Sequence, residues 1–170
     1  METIMLVRLK PHDPKKGLLL KQYTYQGEDV SPKLTLADVP SGAASLAVIC
    51  DDPDAPSRKN PRKEGPWVHW VIYNLPGDLA EIPEGVPRDP EPEELTGARQ
   101  GTNSWPSENV GYRGPQPPAG SGPHRYFFKV YALDTVLDVP AGKTDKAALL
   151  KAMEGHILDQ GVLMGTFEVK

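Results

Sequence analysis

What these 170 residues lack narrows the possibilities first. There is one cysteine, Cys50, inside the apolar run LAVIC, so no disulfide can form within the chain. At this length a hydrophobic core can form without disulfide or metal support. No apolar run approaches the ~20 residues of a membrane-spanning helix. The N-terminal METIMLVRLK has neither a signal-type apolar stretch nor a small-residue cleavage site, so a cytoplasmic location is expected. Positive charge is not in excess, with 19 Lys and Arg against 23 Asp and Glu. That balance argues against a nucleic-acid partner and against docking on anionic membrane. The four histidines show no H-x-x-x-H spacing and there is no C-x-x-C, which disfavours zinc. The absence of G-x-S-x-G disfavours an α/β-hydrolase. Gly120-Ser121-Gly122 leads into a strand-like run, not a helix, so a dinucleotide or P-loop phosphate site is not expected. A phosphate can still meet backbone amides of a Gly-Pro loop. No cofactor is expected.

What the chain has in excess is proline, 19 residues or roughly twice the usual share, dispersed among apolar segments. The composition predicts one ordered domain over residues 1–170 with long, stiffened loops. IMLVRL (Ile4 to Leu9), KLTLADVP and SLAVICDD (Ser45 to Asp52) read as strands, the latter two separated by a turn at Pro40-Ser41-Gly42. WVHWVIYNLP (Trp67 to Pro76) and HRYFFKVYALD (His124 to Asp134) are the clearest strands. Both are apolar on both faces, which suits the middle of a sheet in a sandwich. Residues Gly77 to Gly122 between them have little regular pattern. Their acidic, Pro-rich first half, Gly77 to Leu95, reads as a solvated connection or a partner surface. TDKAALLKAMEGHIL (Thr144 to Leu158) reads as a helix, with Thr144 as N-cap and Leu150, Met153 and Ile157 on one face. VLMGTFEVK reads as a closing strand.

Residues two apart in a strand share a face. Trp67, His69 and Val71 are therefore expected to point one way, and His124, Tyr126 and Phe128 likewise. If the two strands are neighbours with their starts at one end, both histidines line one mouth. DDPDAP (Asp51 to Pro56) puts carboxylates at the end of another strand. Asp51 and Asp54 fit either a capped turn or a site. Asp52 gains a site role if a histidine lies near, because a carboxylate fixes the tautomer of an imidazole. His12 and His156 read as ordinary surface or helix positions.

DDPDAPSR, WVHWVIYNLPG and GYRGPQPPAGSGPHRYFF occur in this order, and together they resemble the phosphatidylethanolamine-binding proteins, also called the Raf kinase inhibitor protein family. The bacterial and archaeal branch is the nearer match. The resemblance implies a two-sheet antiparallel β-sandwich with Greek-key character and a C-terminal α-helix. It implies a small pocket for phosphate, a carboxylate or a phosphoethanolamine head group. The positions matching that pocket are Asp52, Trp67, His69, Tyr112, Gly114, Gln116, Pro117, Pro118, His124 and Tyr126. Gln116 stands where relatives carry glycine or cysteine and offer a backbone amide, so pocket volume and ligand choice are expected to differ. The resemblance further implies a homodimer and cis peptides near the pocket, Ala55-Pro56 first and Gly65-Pro66 second. It points to a regulatory or inhibitory module acting on a kinase or serine protease. The alternative is a hydrolase or isomerase using Asp52, His69 and His124.

Overall fold

A computed structural model describes residues 6–10, 12–13, 18–19 and 21–170, with side chains from residue 21 onward. Ile4 and Met5 of the first expected strand lie outside the described residues, as does the side chain of His12. Ten strands and one helix follow in chain order: β1 (Leu6–Lys10), β2 (His12–Asp13), β3 (Leu18–Leu19), β4 (Lys33–Ala37), β5 (Ser45–Asp52), β6 (Trp67–Pro76), β7 (Glu81–Ile82), β8 (Arg99–Gln100), β9 (His124–Leu133), α1 (Lys146–Met153) and β10 (Ile157–Phe167). They form a small sheet, β1-β4-β7, and a large sheet, β2-β3-β10-β9-β5-β6-β8. All pairings are antiparallel except the short contact of β10 with β3. This is the β-sandwich that the sequence implied.

Two cores explain the strand patterns. Leu34 and Leu36 of β4 alternate inward and meet Leu46, Val48, Trp70, Ile72, Phe128 and Val130 of the large sheet. Ala47, Ile49, Val71, Tyr73 and Leu133 project from the opposite face and pack under Leu149 and Met153 of α1. β5 is therefore covered on both faces, and every one of its eight residues is buried. The acidic segment after Gly77 is more than a solvated connection. Its β7 joins the small sheet, and Ile82, Val86 and Leu95 enter the sandwich core.

Three expectations are corrected. First, β6 and β9 are not neighbours, because β5 lies between them. Both run antiparallel to β5, so their starts do share one end, and that end is where β5 finishes. Second, the two-residue alternation fails in β6. Cys50 pairs with Trp70 but Asp51 pairs with Val68, leaving His69 as an extra residue in a β-bulge. A bulge re-aims the side chains beside it. Trp67 and His69 consequently line a cavity, while Val71 packs under α1. Third, the helix is shorter than Thr144 to Leu158. Its N-cap is Asp145, which accepts from the Ala148 amide, while the Thr144 hydroxyl donates to the Pro140 carbonyl. Leu149 and Met153 are its buried residues; Leu150 is exposed and Ile157 already belongs to β10. The Ala55-Pro56 bond is cis, and Gly65-Pro66 is not among the cis bonds of the described residues.

Candidate functional site

The end of β5 and the starts of β6 and β9 surround a cavity of about 490 Å³. Asp52, the last residue of β5, faces His124, the first of β9. His124 Nδ1 lies 2.7 Å from Asp52 Oδ2, and both side chains are buried. Asp52 Oδ1 accepts the Asp54 amide at 2.7 Å, so the D-P-D turn holds the carboxylate in place. Burial raises the Asp52 carboxyl above its usual range, and the bonds from His124 and the Asp54 amide offset this only in part.

His124 Nε2 lies 2.9 Å from Ser121 Oγ. The Ser121 hydroxyl donates its one proton to the Pro118 carbonyl at 2.7 Å, so at Ser121 Oγ the imidazole is the donor. With Nε2 protonated, one further proton resides between Nδ1 and Asp52 Oδ2. The order Asp52–His124–Ser121 follows that of an acid–base–nucleophile triad. However, Ser121 is not part of the cavity wall and its proton is engaged elsewhere, so it serves as the acceptor that holds His124.

His69 is set by the facing loop. Its Nδ1 lies 2.6 Å from the Arg113 carbonyl, and the Arg113 amide donates to the His69 carbonyl at 3.0 Å. A carbonyl only accepts, so Nδ1 carries the proton and Nε2 is left as a lone pair. Burial pulls the His69 pKa down to about 4, against the upward pull of the Arg113 and Gly114 carbonyls and of Asp51. The ring is thus neutral at neutral pH. Trp105 and Tyr126 pack edge-on against His69, with ring centroids 5.1 and 5.2 Å away.

The remaining walls are the cis Ala55-Pro56 pair, Arg62, Trp67, Trp105, the Pro-rich loop with Gln116, Pro117 and Pro118, and Tyr126. Burial pushes the Tyr126 phenol well above its usual range, so it remains an O–H donor. Gln116 carries the one amide N–H in the run Pro115 to Pro118. Two wall residues escaped the sequence reading. Arg62 places its guanidinium 4.8 Å from the centre of the Trp67 ring, and Trp105 stands edge-on to Trp67 at 5.2 Å. Both come from loops without period, and only the isolated tryptophan in N-S-W-P offered a signal.

Tyr112 and Gly114 are not brought to the cavity wall. Tyr112 is a core residue whose hydroxyl donates to the Tyr23 carbonyl at 2.7 Å, and the Gly114 amide donates to Asp29 Oδ1 at 2.6 Å. Gly114 also abuts the Tyr23 carbonyl so closely that a Cβ would collide with it, so it serves loop packing. Asp54 and Asp51 also lie off the cavity. Asp54 is clamped by Arg125 through two side-chain bonds at 2.9 Å, and Asp51 meets Lys129 and Lys146 on the α1 face. His156 pairs with Asp134 at the surface. Among the described residues, no group of three His, Cys, Asp or Glu is placed to hold a metal ion, and no helix is long and apolar enough to cross a membrane.

The family model described as phosphatidylethanolamine-binding protein matches residues 10–168. The chain belongs to this family. A UPF0098 protein of Methanothermobacter thermautotrophicus is 48% identical over 155 residues, covering 89% of this chain and 91% of that one. Among solved structures, the phosphatidylethanolamine-binding protein homolog CT736 of Chlamydia trachomatis superposes with a TM-score of 0.82 at 36% identity, covering 99% of this chain and all of that one (100%). Escherichia coli YbcL superposes with a TM-score of 0.83 at 28% identity, covering 98% and 99%. The carboxypeptidase Y inhibitor, solved with its cognate proteinase, shares the fold at 19% identity with a TM-score of 0.56, covering 98% and 84%.

Proposed function

We propose that this protein is a small-anion binding module whose cavity takes phosphate, a carboxylate or a phosphoethanolamine head group. The supporting observation is the buried Asp52–His124 pair at the base of a mostly apolar cavity. An unpaired carboxylate there would repel an anion, but a carboxylate sharing a proton with imidazole presents no net charge. Around it the Tyr126 hydroxyl and the Gln116 amide have no hydrogen-bond partner among the described residues, and Arg62 supplies positive charge at the rim. A small polar ligand satisfies these groups, and the hydroxyl of buried Tyr126 is costly to leave unpaired.

The proposal extends to regulation of a kinase or serine protease partner by a cytoplasmic homodimer. It rests on family membership and on the inhibitory role of the carboxypeptidase Y inhibitor, a role that belongs to that protein. Calorimetric titration with phosphate and phosphoethanolamine tests the cavity. Inhibition assays against serine proteases and kinases test the regulatory part, and sedimentation velocity tests the dimer. Saturable binding without turnover of phosphoesters supports the module. Turnover lost in His69→Ala would instead favour an enzyme.

A further inference from the structure

We infer that the cavity selects its anion in a protonated form: the ligand is a phosphomonoester carrying one acidic proton, and His69 Nε2 is the acceptor for that proton. This rests on the anion-site reading above and specifies which ionic form the site takes.

His69 is buried and lines the cavity, its Nδ1–H is bonded to the Arg113 carbonyl at 2.6 Å, and the Gly114 carbonyl also bears on the ring; carbonyls have no proton to give, and no described group donates to Nε2. The Trp105 and Tyr126 rings pack edge-on with the His69 ring, and the Tyr126 hydroxyl has no hydrogen-bond partner among the described residues. A fully deprotonated phosphate would set one of its oxygens against the Nε2 lone pair. A monoanion bearing one P–OH donates to Nε2 and still accepts from Tyr126 and the Gln116 amide. An acceptor buried without a donor discriminates strongly between ligands that differ by one hydrogen.

Charge points the same way. The ionisable groups around His69 are Asp52 and, on the far face of β5, Asp51; His124 and Tyr126 from β9; Arg113 from the facing loop; and Arg62 at the rim. Asp52 and His124 cancel as a proton-sharing pair, and Asp51 is met by Lys129 and Lys146. Arg113 lies over Trp105, 4.8 Å from the ring centre. That contact leaves the Arg113 charge in place, whereas Arg62 at the rim is partly offset by Glu64, 3.9 Å away, so the surrounding cations suit one negative charge better than two in a site with apolar walls. The low pKa of His69 keeps it an acceptor down to about pH 4.

Methyl phosphate and methyl sulfate make a matched test. At pH 5 both are monoanions of similar shape, but only the phosphate carries an acidic O–H, since the second proton of a phosphomonoester leaves near pH 6. Calorimetry on the wild-type protein is expected to show methyl phosphate binding at least about tenfold more tightly than methyl sulfate at pH 5. Between pH 5 and 8 the phosphate should lose up to about a hundredfold relative to methyl sulfate, as its monoanion is depleted over two units. Methyl sulfate absorbs any contribution from titration of the protein itself. Near pH 7, phosphate binding should take up close to one proton, read by repeating the titration in buffers of different ionisation enthalpy. Equal affinities at pH 5, or a phosphate affinity that rises towards pH 8 relative to sulfate, would overturn the inference while leaving the anion site standing. If neither anion binds, the anion-site reading falls and this inference falls with it.

Discussion

Asp52 Oδ2 and His124 Nδ1 lie 2.7 Å apart, joining the last residue of β5 to the first of β9. The contact follows from the antiparallel pairing of these central strands. The Ser121 hydroxyl then fixes the donor on the far nitrogen of the ring. Asp52→Asn keeps the shape but puts a neutral amide against the imidazole. It is expected to weaken phosphate binding at least about tenfold and to cost about 1–3 kcal/mol of stability, the range for a buried polar group that loses a good partner. Urea denaturation and calorimetry on the same variant read both. Unchanged phosphate affinity would remove Asp52 from the site.

His69 sets a pH dependence of opposite sign to that of a salt-bridged histidine. Its pKa is about 4 in the folded state against 6.5 unfolded. Between those values the unfolded chain binds the extra proton and the folded chain does not. Stability contributed by neutral His69 is thus complete above pH 6.5 and is lost as pH falls towards 4, by about 3 kcal/mol. In His69→Asn this segment of the stability curve should flatten. Parallel curves for wild type and variant from pH 7 to pH 4 would contradict the assignment.

The clamp of Asp54 by Arg125 supports the site from outside it. Burial pushes the Asp54 carboxyl up, but the bonds and charge of Arg125 outweigh this and hold it below its usual range. The same carboxylate accepts the Arg125 amide at 3.0 Å, locking the D-P-D turn to the start of β9. Asp54→Ala is expected to cost about 2 kcal/mol, as for hydrogen bonds to a charged group. Phosphate affinity should fall less than in Asp52→Asn, because Asp54 touches no part of the cavity. A larger loss of binding than in Asp52→Asn would mean that Asp54 acts on the ligand directly.

Gln116 lines the cavity with a side chain where the resemblance implies glycine or cysteine. Gln116→Gly keeps the backbone amide and opens the cavity. Phosphate affinity should stay within a few-fold of wild type, while glycerophosphoethanolamine should gain relative to it. The measurement is the ratio of the two affinities; a ratio unmoved by the substitution would show that Gln116 does not gate size.

The sandwich and most of the site were legible because period-two strands and three motif blocks carry them. The central position of β5 was not legible, since strand order depends on pairing that no local pattern encodes. Neither was the bulge at His69, a single extra residue that redirects Trp67 and His69 away from Val71. Arg62 and Trp105 join the wall from irregular loops, whose path is set by backbone bonds such as the Ser104 amide to the Val68 carbonyl. Tyr112 misled because its G-Y-x-G setting matches the motif, whereas its hydroxyl holds the Tyr23 carbonyl in the core. At the helix start, Thr144 and Asp145 are equally good caps by type; the Pro140 carbonyl takes the Thr144 hydroxyl and decides the matter.

The most direct test of the central claim is calorimetric titration of phosphoethanolamine into the wild-type protein, His69→Ala and His124→Ala, each first shown to be folded by circular dichroism. The expected result is saturable, one-to-one binding by the wild type and at least about tenfold weaker binding by each folded variant. Equal binding by all three proteins, or none by the wild type, would contradict it.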